Sequence, residues 1–110
     1  MPFYLLEASY SAESVAAMVK SPQDREAAAR PVVEAVGGTL HHLFFCFGDH
    51  DIVALIEAPD DAAMAAGVMV VGASGSLSGL KTTKLFSASE AMQAMKTAQG
   101  VVSKYTPASG

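Results

Sequence analysis

Thr39-Leu40-His41-His42-Leu43-Phe44-Phe45-Cys46-Phe47 runs into Gly48-Asp49-His50-Asp51 and then into Ile52-Val53-Ala54-Leu55-Ile56-Glu57-Ala58. The two flanks are rich in aromatic, β-branched and long aliphatic residues, and the four residues between them are turn formers. The stretch reads as two antiparallel strands joined by a tight connection, a β-hairpin. Side chains alternate across a strand. Leu43, Phe45 and Phe47 then share one face, and Phe44 and Cys46, with Leu55 or Val53, share the other. An antiparallel sheet with a wet face normally carries polar residues on it. Here both faces ask for cover, which predicts helices on one side and the sheet of a second copy on the other.

Upstream of the hairpin, Phe3 to Ser9 reads as a first strand. Ser11 offers an N-cap to a short helix over 12–19, and Ser21-Pro22-Gln23-Asp24 predicts a second helix start. Serine would cap that helix, with proline at its first position. It should run to Val36, kink at Pro31 and stop at Gly37-Gly38. Downstream, Pro59-Asp60-Asp61 opens a helix to about Val71. Gly72, Gly75 and Gly79 mark a flexible connection, and Leu80 to Phe86 is a fourth strand. Ser87 and Glu90 have capping-box spacing and open a last helix to about Lys104. The order is β-α-β-β-α-β plus a C-terminal helix. It predicts an α+β, ferredoxin-like sandwich: a four-stranded antiparallel sheet with helices on one face. A single domain over 1–105 and a flexible tail over 106–110 are expected.

The 110 residues suffice for one core, and 51% of them are hydrophobic against 16% charged. Mean hydropathy is positive. Such apolar content in a small domain points to surface covered by another copy, so a homo-oligomer is expected. The formal charge is −4, and the seven Lys and Arg are scattered, which argues against nucleic acid as a partner. Cys46 is the only cysteine, leaving no internal disulfide and no cysteine metal cage. The start, Met-Pro-Phe-Tyr-Leu-Leu-Glu, has no signal-peptide pattern, and Ala62 to Ala73 is too short for a bilayer. A cytoplasmic protein with no membrane partner is the expectation.

At Gly48-Asp49-His50-Asp51, followed by Ile-Val-Ala-Leu-Ile-Glu-Ala-Pro-Asp-Asp, the chain resembles the GYD-domain family. That family is named for a Gly-x-Tyr-Asp hairpin with an apolar strand and an acidic helix start after it. Ser21-Pro22, Gly37-Gly38 and the aromatic second strand are similar as well, so the resemblance covers about residues 3 to 90. It implies a ferredoxin-like fold of the dimeric α/β-barrel type, in small bacterial proteins, and it implies no particular activity. His50 stands where the family pattern has tyrosine, so any role of that tyrosine is altered or lost here.

Two groups of residues could carry chemistry. Asp49, His50 and Asp51, with Glu7 brought alongside by the topology, could bind a ligand, hold a divalent cation or tune a base. Turn geometry alone also explains Gly and Asp there, and consecutive residues converge poorly on one ion. No metal site is assigned. Phe44 joins this set as a ligand-binding residue. The second group is His41 and His42 with Glu57. Neighbours on a strand face opposite ways, so one histidine, depending on register, should sit across from Glu57. Such a pair among phenylalanines could act as an acid–base couple, or be an ordinary cross-strand contact. Cys46 reads as a small buried hydrophobe, and Met64, Met69, Met92 and Met95 as core filler. The glycine-rich run 72–79 lacks the Gly-Lys-Ser/Thr ending of a phosphate loop.

No cofactor is implied. The leading expectation is a small-molecule binding or regulatory homo-oligomer, with a pocket for an apolar ligand between sheet and helices. A cofactor-free enzyme of monooxygenase or isomerase type, using the His–carboxylate pair, is the alternative by fold analogy. A structural interaction module, with no cavity at all, is the third.

Overall fold

The computed structural model describes residues 1–109. Gly110, the last residue of the expected tail, lies outside them. Four strands, β1 (Phe3–Tyr10), β2 (Thr39–Phe45), β3 (Ile52–Glu57) and β4 (Leu77–Leu85), form one sheet in the order β2-β3-β1-β4. Every neighbouring pair is antiparallel. Helices α1 (Ala12–Lys20) and α2 (Arg25–Ala35) connect β1 to β2, and α3 (Asp61–Ala73) connects β3 to β4. Helix α4 (Ala88–Val101) follows β4 and ends in a short 3-10 turn, Val102–Lys104. This is the ferredoxin-like arrangement that the element order predicts.

The central strands carry the core by strict alternation. Tyr4, Leu6, Ala8 and Tyr10 of β1 and Ile52, Ala54 and Ile56 of β3 are buried, while the residues between them are half-exposed. The buried set meets Val33 of α2, Met64 of α3 and Leu40 of β2. Each aliphatic side chain fully buried in this way contributes about 1.5–3 kcal/mol. The other sheet face, with Phe3, Leu5, Val53 and Leu55, has no helix of its own chain over it and stays half-exposed.

Local signals set most boundaries. Ser11 caps α1, its side chain accepting from the Ser14 N–H. Ser87 and Glu90 form the full capping box of α4. At α2 the expectation is corrected. Ser21 ends α1, donating its N–H to the Ala17 carbonyl, and Asp24 caps α2 by accepting from the Glu26 and Ala27 N–H groups. Proline restricts the residue before it to extended geometry, so Pro22 serves to end α1. A carboxylate that meets two orphan N–H groups then starts the next helix. Pro31 lies inside α2, which continues to Ala35. Gly37, at φ 87°, turns the chain out of the helix as glycine can without strain. Strand β4 begins at Leu77, three residues before the expected start, because Gly79 at φ 58° forms a bulge against β1 between Glu7 and Ser9.

Tyr4 ties three elements together. Its hydroxyl donates to Asp61 Oδ1 at 2.5 Å, and Lys84 Nζ lies 2.9 Å from the same oxygen. Burial, and then the Asp61 carboxylate, push the Tyr4 phenol up to about 12 from its usual 10.0. The hydrogen bond from Tyr4, and next that from Lys84, hold Asp61 below the usual carboxylate range. The raised phenol contributes stability that is complete below pH 10 and fades as pH climbs toward 12. The lowered carboxyl contributes above the usual carboxylate range and fades as acid protonates it. Thermal stability is therefore expected to fall above pH 10, and Tyr4→Phe should flatten that fall in a pH series of melts. An unchanged alkaline slope in Tyr4→Phe would remove this linkage.

Helix α4 stands apart from the rest. Only Ala91 in it is even half-buried. The radius of gyration is 18.0 Å and the longest extent 60 Å, whereas a compact chain of this length has a radius of about 13 Å. Apolar Ala88, Ala91, Met92, Ala94, Met95, Ala98, Val101 and Val102 fall on one half of the helix and its extension at 3.6-residue spacing. Gln93, Lys96, Thr97, Gly100 and Lys104 fall on the other. The apolar half faces solvent: Met92, Met95, Val101 and Val102 are all exposed.

Candidate functional site

The hairpin places the expected acid–base residues on the open face of the sheet. Leu40 pairs with Ile56 and His42 with Leu55, leaving His41 as an extra residue, a bulge. His41 Nε2 lies 2.8 Å from Glu57 Oε1, and the His41 ring rests 5.4 Å from that of Phe3. His42 stacks on Phe44 with ring centres 5.7 Å apart. The expectation that the two histidines face opposite ways is thus overturned. The bulge breaks the alternation, so both lie on the open side and His41 is the partner of Glu57. Both histidines are exposed, as is Phe44.

The hairpin loop is organised by the backbone. Asp51 Oδ2 accepts from the Tyr10 N–H at 2.9 Å, and the Asp51 N–H donates to the Ala8 carbonyl. Asp51 therefore fastens the loop to the end of β1. His50 Nδ1 lies 3.7 Å from Glu7 Oε2, a loose pair. Asp49 is exposed. Among the described residues no three His, Cys, Asp or Glu side chains gather as a metal ion would need. The cation option for this turn therefore has no geometry behind it.

Two assignments to the core are corrected. Strand β2 ends at Phe45, so Cys46 lies beyond the sheet and is exposed, its Sγ 3.2 Å from the His50 carbonyl oxygen. Of the four methionines expected inside, only Met64 is buried; Met69, Met92 and Met95 are exposed.

The enclosed space of the molecule is elsewhere, between the sheet and helices α2 and α3. A cavity of about 100 Å³ lies there, walled by Val33, Leu40, Ile52, Ile56, Met64 and Val68 among others. Small residues at inward positions leave it open: Ala28 and Ala29 on α2, Gly67 on α3, Ala54 and Ala58 on the sheet side. Packed interiors hold few voids larger than a water molecule. An apolar cavity of roughly 150 Å³ stays dry and takes up benzene, so this one is of ligand size at its lower end.

One end of the cavity is polar. Arg25, the first residue of α2, and Tyr10, the last of β1, both line it. The guanidinium carbon sits 5.8 Å from the Tyr10 ring centre, and Nη1 donates to Gln23 Oε1 at 2.6 Å. Arg25 Nε is buried and has no hydrogen-bond partner. A buried donor left without an acceptor costs about 1–3 kcal/mol, and more when charged. Sequence reasoning placed a pocket between sheet and helices but named none of these lining residues. The signal available was the alanine and glycine content of the inward-facing positions.

A model of the GYD-domain family matches residues 4–95. The chain belongs to the GYD-domain family. No curated protein matches it. The GYD match runs from Tyr4 in β1 to Met95 in α4, so this GYD domain contains the whole cavity, Arg25 and the His41–Glu57 pair. No helix of the GYD protein, among the described residues, is long and apolar enough to cross a membrane.

Proposed function

We propose that this GYD-domain protein binds a small apolar molecule in the cavity between its sheet and helices α2 and α3, and that it does so as a homo-oligomer. The cavity carries the reading: about 100 Å³ of apolar space is a loss of packing that a binding role explains and a purely structural module does not. A regulatory role fits the same site, because a ligand between sheet and helices alters their packing.

The enzyme reading has weaker support. His41 and Glu57 sit on the opposite side of the sheet from the cavity, so a molecule held there does not touch them. The two would meet a substrate only where a second sheet closes over the open face.

Support for self-association comes from the open sheet face and from α4. An amphipathic helix that its own domain leaves bare needs another surface. The second copy of this chain suits it by charge. Residues 1–87 carry ten acids against five bases, whereas beyond Glu90 the only charges are Lys96 and Lys104. A basic arm and an acidic body are complementary between copies. The stripe has no Trp, Phe or Leu of the kind an interfacial membrane helix inserts.

Benzene is the simplest probe of the cavity. At ten times its dissociation constant, it is expected to stabilise the folded state by about 1.4 kcal/mol. In methyl NMR spectra it should shift Val33, Leu40 and Ile56 while leaving Val15 and Val101 in place. No stabilisation and no methyl shifts would refute the binding reading.

A further inference from the structure

The cavity is apolar along its walls but ends at a guanidinium, and this end selects the ligand. Arg25 has three features on the page. It lines the cavity, its Nε is buried without an acceptor, and its Nη1 is already engaged by Gln23. Of the salt bridges in the described structure, Arg30 takes Glu26 and Lys84 takes Asp61, and none includes Arg25. The carboxylates near it in the fold are committed to the backbone. Asp24 accepts from the Glu26 and Ala27 N–H groups, and Asp51 from the Tyr10 N–H. The Tyr10 ring beneath the guanidinium fixes its plane. An oriented guanidinium with an unsatisfied Nε edge matches the two oxygens of a carboxylate, which it can hold by parallel hydrogen bonds.

We infer that the ligand of this cavity is a small apolar carboxylate, its hydrocarbon part among Val33, Leu40 and Ile56 and its carboxylate on the Nε edge of Arg25. This rests on the binding reading above and adds the chemical class. The size limits the hydrocarbon part to about that of a benzene ring or a short branched chain. A neutral hydrocarbon would leave the Arg25 donor as it is, buried and unmatched. A phosphate would bring a second charge and a third oxygen to a site whose walls offer no other donor to meet them.

The test compares benzoate with benzene on the full chain, by calorimetry and by methyl NMR. Benzoate is expected to bind at least tenfold more tightly than benzene and to shift the Val33, Leu40 and Ile56 methyls. Arg25→Met should cancel that advantage and leave benzene binding unchanged, which also shows that the variant is folded. Arg25→Lys keeps the charge but not the planar fork, and should recover only part of the advantage. Benzene and benzoate binding alike, or benzoate keeping its affinity in Arg25→Met, overturns the carboxylate inference and leaves the cavity as an apolar site. Benzoate perturbing Arg25 without moving the cavity methyls also overturns it. If neither compound binds, the binding reading itself fails.

Discussion

Glutamate introduced at both Met95 and Val102 is expected to release monomers from the assembly, weakening self-association at least a hundredfold. Both side chains are exposed and lie on the apolar half of α4 and its 3-10 extension, away from the body of their own chain. The folded monomer therefore loses nothing by the change. In the oligomer each side chain is buried against the second copy, and each buried methionine or valine contributes about 1.5–3 kcal/mol. Replacing them by carboxylates removes that contribution and adds the cost of desolvating a charge, several kcal/mol per ion. Every 1.4 kcal/mol is a factor of about ten in the association constant, so a hundredfold is the low end. Sedimentation equilibrium at matched concentrations reads the result. If the unaltered protein is already monomeric at tens of micromolar, the homo-oligomer proposal fails. If the double variant associates as the parent does, α4 is not the interface.

The second large effect lies at Gly38, between the end of α2 and the start of β2. A Cβ there would stand 2.4 Å from the Glu57 carbonyl oxygen, 3.2 Å from a Val33 methyl and 3.3 Å from the Val33 carbonyl oxygen. Two of the three are backbone atoms, held by the Thr39–Glu57 pairing and by the Gly38 N–H bond to Val33. Neither can yield without moving a strand or a helix end. Gly38→Ala is expected to cost about 3 kcal/mol, the upper end for overpacking, out of the 5–15 kcal/mol typical of a folded domain. The melting temperature should fall by roughly 10 °C or more. Gly67→Ala is the control. Its Cβ would meet only a Val36 methyl, at 3.9 Å, and helix propensity there favours alanine by up to about 1 kcal/mol. Equal, small effects of the two substitutions would show that the α2–β2 junction has room to move.

The contrast between these glycines shows what a sequence states and what it withholds. Gly37-Gly38 reads correctly as a helix stop, because glycine after a periodic segment has a local cause. That Gly38 must also clear a carbonyl from β3 is a long-range fact with no local sign. The same division runs through the rest of the chain. The alternation of β1 and β3 and the caps Ser11 and Ser87 are local, and the order of elements predicts the sheet. Ser21 and Asp24 both read as caps, and the choice between them depended on where α1 would end. The His41 bulge could not be anticipated, since it depends on how β2 registers against β3. It changed which residues share a face, and with it the geometry of the acid–base pair. Cys46 and three methionines were expected inside on hydrophobicity alone. Their exposure follows from where β2 stops and from α4 leaving the body. The cavity was the least legible feature, because it is a difference between the volumes of side chains from four elements.

The outer strands, β2 and β4, each carry an irregularity: the extra residue at His41 in one, the left-handed Gly79 in the other, followed there by Lys81 and Lys84. A further strand could not add to either edge in regular register, and lysines resist being stacked along one. Copies of this chain are thereby steered away from edge-to-edge growth, the route to amyloid. Their contacts are directed through faces and helices, which can close on themselves. A protein with so much apolar surface can stay soluble at high concentration because its sheet has been made difficult to extend.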